Sequence, residues 1–399
     1  MGARERTGDP AADDPAWDAL CGALRDAGRR ALAGAASGRE RAEALRALTR
    51  FLAAGVAVCV EHADAEQPEL CRMIEASAKW GLDMPDCLYL YAPVREGARY
   101  RLFGTRGTAC HLDVQVNAGH FASGRVGAWR TLASASGDEL GAGADGAFEL
   151  QLGGERRGGH WLPVGPGAEF VLIRQYFADW ERERPAELAI EREGAPLPAP
   201  PPSADAMEAR LARLAEWLTH GGALWDRMAR GLLAMPPNTL AFHDPGASGA
   251  HTGLAGQAYG LGHFRCGPGE AVLLEFPVPR CRHWSASLAD RTFASLDYAT
   301  RQSSLNGHQA AVDADGVFRG VIAQEDPGVW NWLDPAGHED GILAVRFLLA
   351  DRATTPRVRA LPLAELDAAL PRDTPRVTPA ERADLLRRRR RAVWRRFRR

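Results

Sequence analysis

The chain has 399 residues, too many for one ordinary hydrophobic core, so two or three packed units are expected. Hydrophobic residues make up 46% and charged residues 25%, the composition of a globular protein, and a formal net charge of −2 gives no electrostatic reason to expect a nucleic-acid partner. The seven cysteines are odd in number and form no C-x-x-C pair, which argues against a zinc ribbon or a disulfide framework and fits a reducing compartment.

The opening MGARERTGDPAADDPAWD is polar and acidic and does not read as a signal peptide. The longest apolar run, FLAAGVAVCV (51–60), falls short of the ~20 residues of a membrane span, so no transmembrane segment and a cytoplasmic location are expected. Nearly every basic residue is Arg, and Lys79 is the only lysine.

Residues 1–85 read as a helical N-terminal segment: Trp17, Leu20 and Leu24, then Leu45, Leu48, Phe51 and Leu52, recur at helical spacing, and 66–82 continue that character. From about Asp86 the period changes. CLYLYAPV, ARYRLFGTRG, CHLDVQV, GAEFVLIRQYF and AELAIERE are short apolar runs bounded by Gly or Pro, which predicts a β-sandwich unit over 86–193. GAPLPAPPPSAD opens a linker over 194–235, because Pro fixes φ and lacks a donor; Ser203 then caps a helix carrying Met207, Leu211, Leu214 and Leu218. Strands resume in a second unit, 236–363. The Gly-rich stretch holding His243, His251 and His263 reads as a loop near a pocket mouth. Residues 364–399 form a helical tail capped at Thr378 and rich in arginine.

The two units align with each other. His111 matches His283, Phe121-Ala122-Ser123 matches Phe293-Ala294-Ser295, and Arg174 matches Arg346, each at an offset of 172; Trp161-Leu162 matches Trp332-Leu333 at 171. The expected fold class is mainly β with flanking helices (α+β). It comprises two duplicated jelly-roll-like β-sandwich units, a helical N-terminal segment, a helical linker and a C-terminal basic helix.

NWLDPAGHEDGILAVRF (331–347) carries an NWLD-x-x-GH run. With PDCLYLYAPV (85–94), GHWLPV (159–164) and HWSASLADRTFASLDYATRQSSLNGHQ (283–309), it resembles a bacterial family of uncharacterised proteins over roughly residues 80–365. The resemblance implies a double jelly-roll-like β-sandwich and no particular activity. Relatives tend to show Asn after the PD pair, where this chain has Cys87.

Several groups are candidates for chemistry. His338 in the NWLD-x-x-GH turn is a candidate acid–base group oriented by Asp334, with Asn306 nearby; the ordinary alternative is a network that locks the loop. Trp284, Tyr298, Arg301, His308 and Trp332 are candidate substrate-binding residues, since aromatic walls with a few polar groups describe small-molecule pockets and equally a packed sandwich core. His111 and Asp113 share one strand face, and with His160 they form an alternative iron site. Arg174 and Arg346 inside apolar strands need partners, and Asp179 and Asp351 are the simplest ones.

Three readings follow. One is an enzyme acting on a hydrophobic small molecule (lipid, steroid or terpenoid) by acid–base chemistry without an organic cofactor, with a non-heme iron oxygenase as its metal-dependent variant. The second is a non-catalytic small-molecule or carbohydrate binder. The third is an assembly protein, a homo-oligomer held by sheet edges and the basic helix.

Overall fold

The structure, a computed structural model, describes residues 14–124, 129–143, 145–243, 254, 256–352 and 354–397. Most of the Gly-rich stretch, His251 included, lies outside the described residues, whereas His243 and His263, expected in a loop, are strand residues.

Two helices open the chain, α1 (Pro15–Ala33) and α2 (Gly38–Val56). Asp14 caps α1 by accepting from Ala16 and Trp17, and Ser37 with Glu40 closes a capping box on α2. Caps of this kind contribute about 1 kcal/mol each by satisfying donors that a helix start leaves open.

The first unit contains β1 (Cys71–Ile74), β2 (Cys87–Pro93), β3 (Tyr100–Thr105), β4 (His111–Ala118), β5 (Arg130–Ser136), β6 (Ala147–Leu152), β7 (His160–Leu162), β8 (Ala168–Tyr176) and β9 (Glu187–Arg192). After α3 (Ala204–Glu216) and α4 (Gly222–Leu233) comes the second unit. It has β10 (Thr239–His243), β11 (Gln257–Arg265), β12 (Glu270–Pro277), β13 (His283–Ala289), β14 (Ser304–Asn306), β15 (Val317–Ala323), β16 (Trp332–Leu333), β17 (Asp340–Leu348) and β18 (Arg357–Pro362). The short helix α5 (Leu366–Ala369) and α6 (Pro379–Arg396) follow. The helical reading of 66–82 does not hold: the stretch carries turns and one strand and no helix. β1 is a strand paired antiparallel to β2, and four residues are too few for periodicity to separate strand from helix.

Each unit is a pair of sheets. The five-stranded sheets run β1-β2-β8-β4-β5 and β10-β11-β17-β13-β14; the four-stranded sheets run β7-β6-β3-β9 and β16-β15-β12-β18. The second order is the first shifted by nine strands in both sheets. Even the parallel pairs recur, β6 with β7 and β15 with β16. Between the sheets of each unit lies an apolar core. In the first it joins Leu112, Val114 and Ile173 to Leu102 and Leu150; in the second it joins Trp284, Leu288 and Phe347 to Phe276 and Phe318.

The other face of each five-stranded sheet is also covered. On the first, Tyr91, Phe170 and Leu172 pack against α1, α2 and α3 around Trp217, which is fully buried, stacks on Phe51 at 4.8 Å and donates to the Phe51 carbonyl. On the second, Ile342 and Ala344 pack against Ala229 of α4. Lys79 bridges the N-terminal segment to the second unit: its ammonium donates to the Ser295 and Leu296 carbonyls and lies 4.0 Å from the Tyr298 ring centre.

Helix α6 opens with a capping box of Thr378 and Glu381. Arg382, Arg389 and Arg396, seven residues apart, all turn inward. Arg382 pairs with Asp326 and donates to Gln302; Arg389 donates to Tyr298 O and Ser304; Arg396 donates to Pro85 O and lies 4.5 Å from the Trp180 ring. The helix thus ties both units together, while Arg387, Arg388, Arg390 and Arg391 stay exposed.

Candidate functional site

Strand alternation gives β4 two faces, and every residue of β4 is buried. Leu112, Val114 and Val116 enter the core, so His111, Asp113, Gln115 and Asn117 lie on the opposite face. In β8 the same logic puts Arg174 and Tyr176 there; in β13 it puts His283, Ser285 and Ser287 there, and in β17 Arg346. These polar faces of the two units meet.

Tyr176 is the centre of the junction. Its ring lies 5.8 Å from the His111 ring and 5.9 Å from the His283 ring, both edge-on, and its hydroxyl donates to Gln257 Oε1 at 2.7 Å. The two histidines occupy matched positions: His111 pairs across the ladder with Tyr176, and His283 with Leu348, the equivalent residue of β17. Arginines repeat in the same way. Tyr89 stands opposite Arg174, and Tyr259 opposite Arg346. Arg174 donates to Gln115 Oε1, whereas Arg346 donates to Leu82 O at 2.7 Å and Ser287 Oγ at 3.3 Å. The expected pairing with Asp179 and Asp351 does not form. Asp179 instead accepts from the Glu181 and Arg182 backbone, because strand alternation turns both arginines into the junction.

Buried polar atoms here have no hydrogen-bond partner among the described residues: His111 Nδ1, Asp113 Oδ2, His283 Nε2, Ser285 Oγ and Asp86 Oδ2. His283 Nε2 and Asp86 Oδ2 are 3.7 Å apart. Such atoms are uncommon in folded proteins and mark places where a further polar group is accommodated. Burial shapes their titration. It pushes Asp113 up to about 7, with the Arg174 charge acting in the opposite direction. It lowers His111 to about 4, helped by the Arg282 charge, and lowers His283 despite the nearby Asp86. The Tyr176 phenol is held well above its ordinary value by burial and stays a donor. Near neutral pH the site therefore combines neutral imidazoles, a phenol and a carboxyl poised between its two forms.

The residues singled out from sequence are distributed otherwise. His338 Nε2 lies 3.3 Å from Glu43 of α2, and burial lowers its pKa. Asp334 pairs with Arg301 at 2.8 Å and accepts from Ala336 N, closing its turn rather than orienting His338. Asn306 is fully buried and saturated: it donates to Asp86 and to the Phe177 and Ala178 carbonyls, and accepts from His308 and Gln309 N–H. Trp284, Tyr298 and Trp332 belong to three separate apolar clusters, so they do not form one wall. Only Trp284 and His308 come together, lining with Arg280 and His283 a groove of about 400 Å³ at the edge of the junction. The alternative iron set also separates, because His160 sits on β7 in the other sheet of its unit. Among the described residues no three His, Cys, Asp or Glu side chains are placed to hold a metal ion.

Sequence reasoning passed over Tyr176, Tyr89, Tyr259 and Gln257. The available signal was the repeat itself, since His111/His283 and Arg174/Arg346 keep polar side chains on one face of strands that are otherwise apolar.

No family model matches the chain, and no curated protein does. Among solved structures, an uncharacterised protein from Burkholderia cenocepacia matches with a TM-score of 0.83 and 30% identity, covering 88% of this chain and 97% of that one. A protein from Vibrio parahaemolyticus matches at 12% identity and a TM-score of 0.47, over 85% of this chain and 100% of that one. No helix among the described residues is long and apolar enough to cross a membrane. By its identity and coverage, the chain belongs to the same family as the uncharacterised Burkholderia cenocepacia protein.

Proposed function

We propose that this protein is an enzyme that performs acid–base chemistry on a small organic molecule at the junction of the two β-sandwich units. The observation that carries the reading is Tyr176 standing between the matched His111 and His283, beside buried polar atoms with no partner. A structural junction would be saturated, as Asn306 is a few residues away. The walls are aromatic (Tyr89, Tyr176 and Tyr259), which suits a partly apolar substrate. Asp113 is the acid–base group, since a carboxyl poised near neutrality both accepts and returns a proton. His111 and His283 offer neutral imidazole hydrogen bonds, and Arg174 and Arg346 hold oxygen atoms of the substrate. The repeated strand order supports duplication of one unit, with the site formed where the copies meet.

The test is untargeted metabolite profiling of a bacterial extract incubated with the wild type or with Asp113→Asn. Depletion of a compound by the wild type alone, with a folded variant, supports the assignment. Equal depletion by both removes Asp113 from the chemistry. Binding without any depletion replaces the enzyme with a carrier of the same ligand.

A further inference from the structure

Away from the junction, a groove of about 740 Å³ runs between α2 and the end of α6. One wall is Arg46 and Arg50; the other is Val393, Trp394 and Phe397. Arg46 and Arg50 are one helical turn apart; burial and then the Arg46 charge lower the Arg50 pKa, with Asp83 and Asp290 acting in the opposite direction. Neither side chain makes a hydrogen bond or an ion pair among the described residues. Trp394 is 51% exposed, and Arg390 stacks on its ring at 4.3 Å. Arg391 follows on the exposed side of the same helix. The one acidic lining residue, Glu75, accepts a hydrogen bond from Ser77.

We propose that this groove binds a monomeric anionic amphiphile, with its carboxylate or phosphate between Arg46 and Arg50 and its apolar part along Trp394 and Phe397. The charge argument is direct. Two adjacent guanidinium groups with no direct hydrogen-bonded or ion-paired partner among the described residues gain from an anion, Asp83 and Asp290 acting on Arg50 only through their charge, and guanidinium forks match carboxylate and phosphate oxygens. An aromatic and aliphatic wall facing them gains from an apolar chain. The volume lies within the range of small-molecule sites. This site is separate from the junction chemistry and stands or falls without it.

The experiment is calorimetric titration of the full chain with dodecyl phosphate below its micelle concentration. Inorganic phosphate and anionic phosphatidylglycerol vesicles serve as parallel probes. Saturable binding of dodecyl phosphate is expected, weakened at least tenfold in Arg46→Ala/Arg50→Ala and in Trp394→Ala. Arg46 is exposed and Arg50 half-buried, so Arg46→Ala alone is expected to keep the wild-type thermal midpoint while weakening binding in the same direction, and thermal unfolding of the double variant tells lost binding from lost folding. Equal affinity for inorganic phosphate would overturn the amphiphile assignment. So would binding to vesicles without binding to the monomer, or wild-type affinity in the double variant.

Discussion

Asp113 and Ser285 hold equivalent positions in the two units: each lies directly across the ladder from the repeated arginine, Arg174 in one case and Arg346 in the other. The repeat is therefore symmetric in its cations and asymmetric in its acid. A titrating carboxyl stands on one side of the junction and a neutral hydroxyl on the other. On the proposed chemistry, this difference confines proton transfer to the first unit. Ser285→Ala is expected to leave the pH profile of any turnover in place, while Asp113→Asn abolishes its step near pH 7. Rates measured across pH 5–9 for both variants check this.

Burial of Asp113 also predicts how stability responds to pH. The folded carboxyl holds its proton up to about 7, whereas in the unfolded chain it ionises near 3.8. Between those values the native state binds more protons, so ionisation costs stability as pH rises through the window, at most roughly 4 kcal/mol. Asp113→Asn lacks this slope and should gain on the wild type from pH 4 to 7. The buried histidines act in the opposite sense. His111, and His120 buried just after β4 beside Trp217, are lowered to about 4 and about 3, so stability is lost as pH falls below about 6.5. Urea unfolding across this range separates the two: a flat difference between the wild type and Asp113→Asn would contradict the buried-acid account.

Asn306 should behave as a structural residue. Its amide joins Asp86 and two carbonyls of the first unit to the turn at His308 in the second. Asn306→Ala leaves several buried groups unpaired and is expected to cost about 3 kcal/mol. A variant of wild-type stability with reduced turnover would instead make Asn306 part of the chemistry. Denaturant midpoints measured beside activity decide between them.

The arginines of α6 should divide by face. Arg389 is half-buried, donates to Tyr298 O, Ser304 and Gln309, and lies 4.3 Å from the Trp180 ring, so Arg389→Ala is expected to destabilise by about 2 kcal/mol. Arg391→Ala, on the exposed face, should stay within about 0.5 kcal/mol. Equal effects in thermal unfolding would show that the helix is not docked as described.

A glycine in the last turn of α2, Gly55, yields a further prediction. Alanine is normally the better helix former by about 1 kcal/mol. A Cβ at Gly55, however, would come within 2.7 Å of the Trp217 ring and 2.8 Å of Leu214. Gly55→Ala is therefore expected to destabilise by about 1–3 kcal/mol, as overpacking does, and the reduced thermal midpoint measures it.

Much of the architecture is legible in the residues. The runs CLYLYAPV, CHLDVQV and GAEFVLIRQYF are β2, β4 and β8, and Ser203 and Thr378 cap the helices they precede. The site is less legible for a physical reason. Alternation in β4 reveals two faces but not what meets the polar side of its sheet, which is the second unit, where Gln257 and His283 reach Tyr176. The aromatic side chains misled because Trp284, Tyr298 and Trp332 look alike in sequence yet enter three different clusters. Likewise His338 and Asp334 are near in sequence, but Glu43 of α2 and Arg301 are their actual partners.

Lys79, the chain's single lysine, is 4% exposed and holds two carbonyls of the second unit. Its side-chain amine is therefore out of reach of acylating reagents and amine-directed crosslinkers while that contact is closed. Each acylation at this position records one opening of the N-terminal segment from the second unit. A mass spectrometer timing that single event reads how often the N-terminal segment lifts from the second unit.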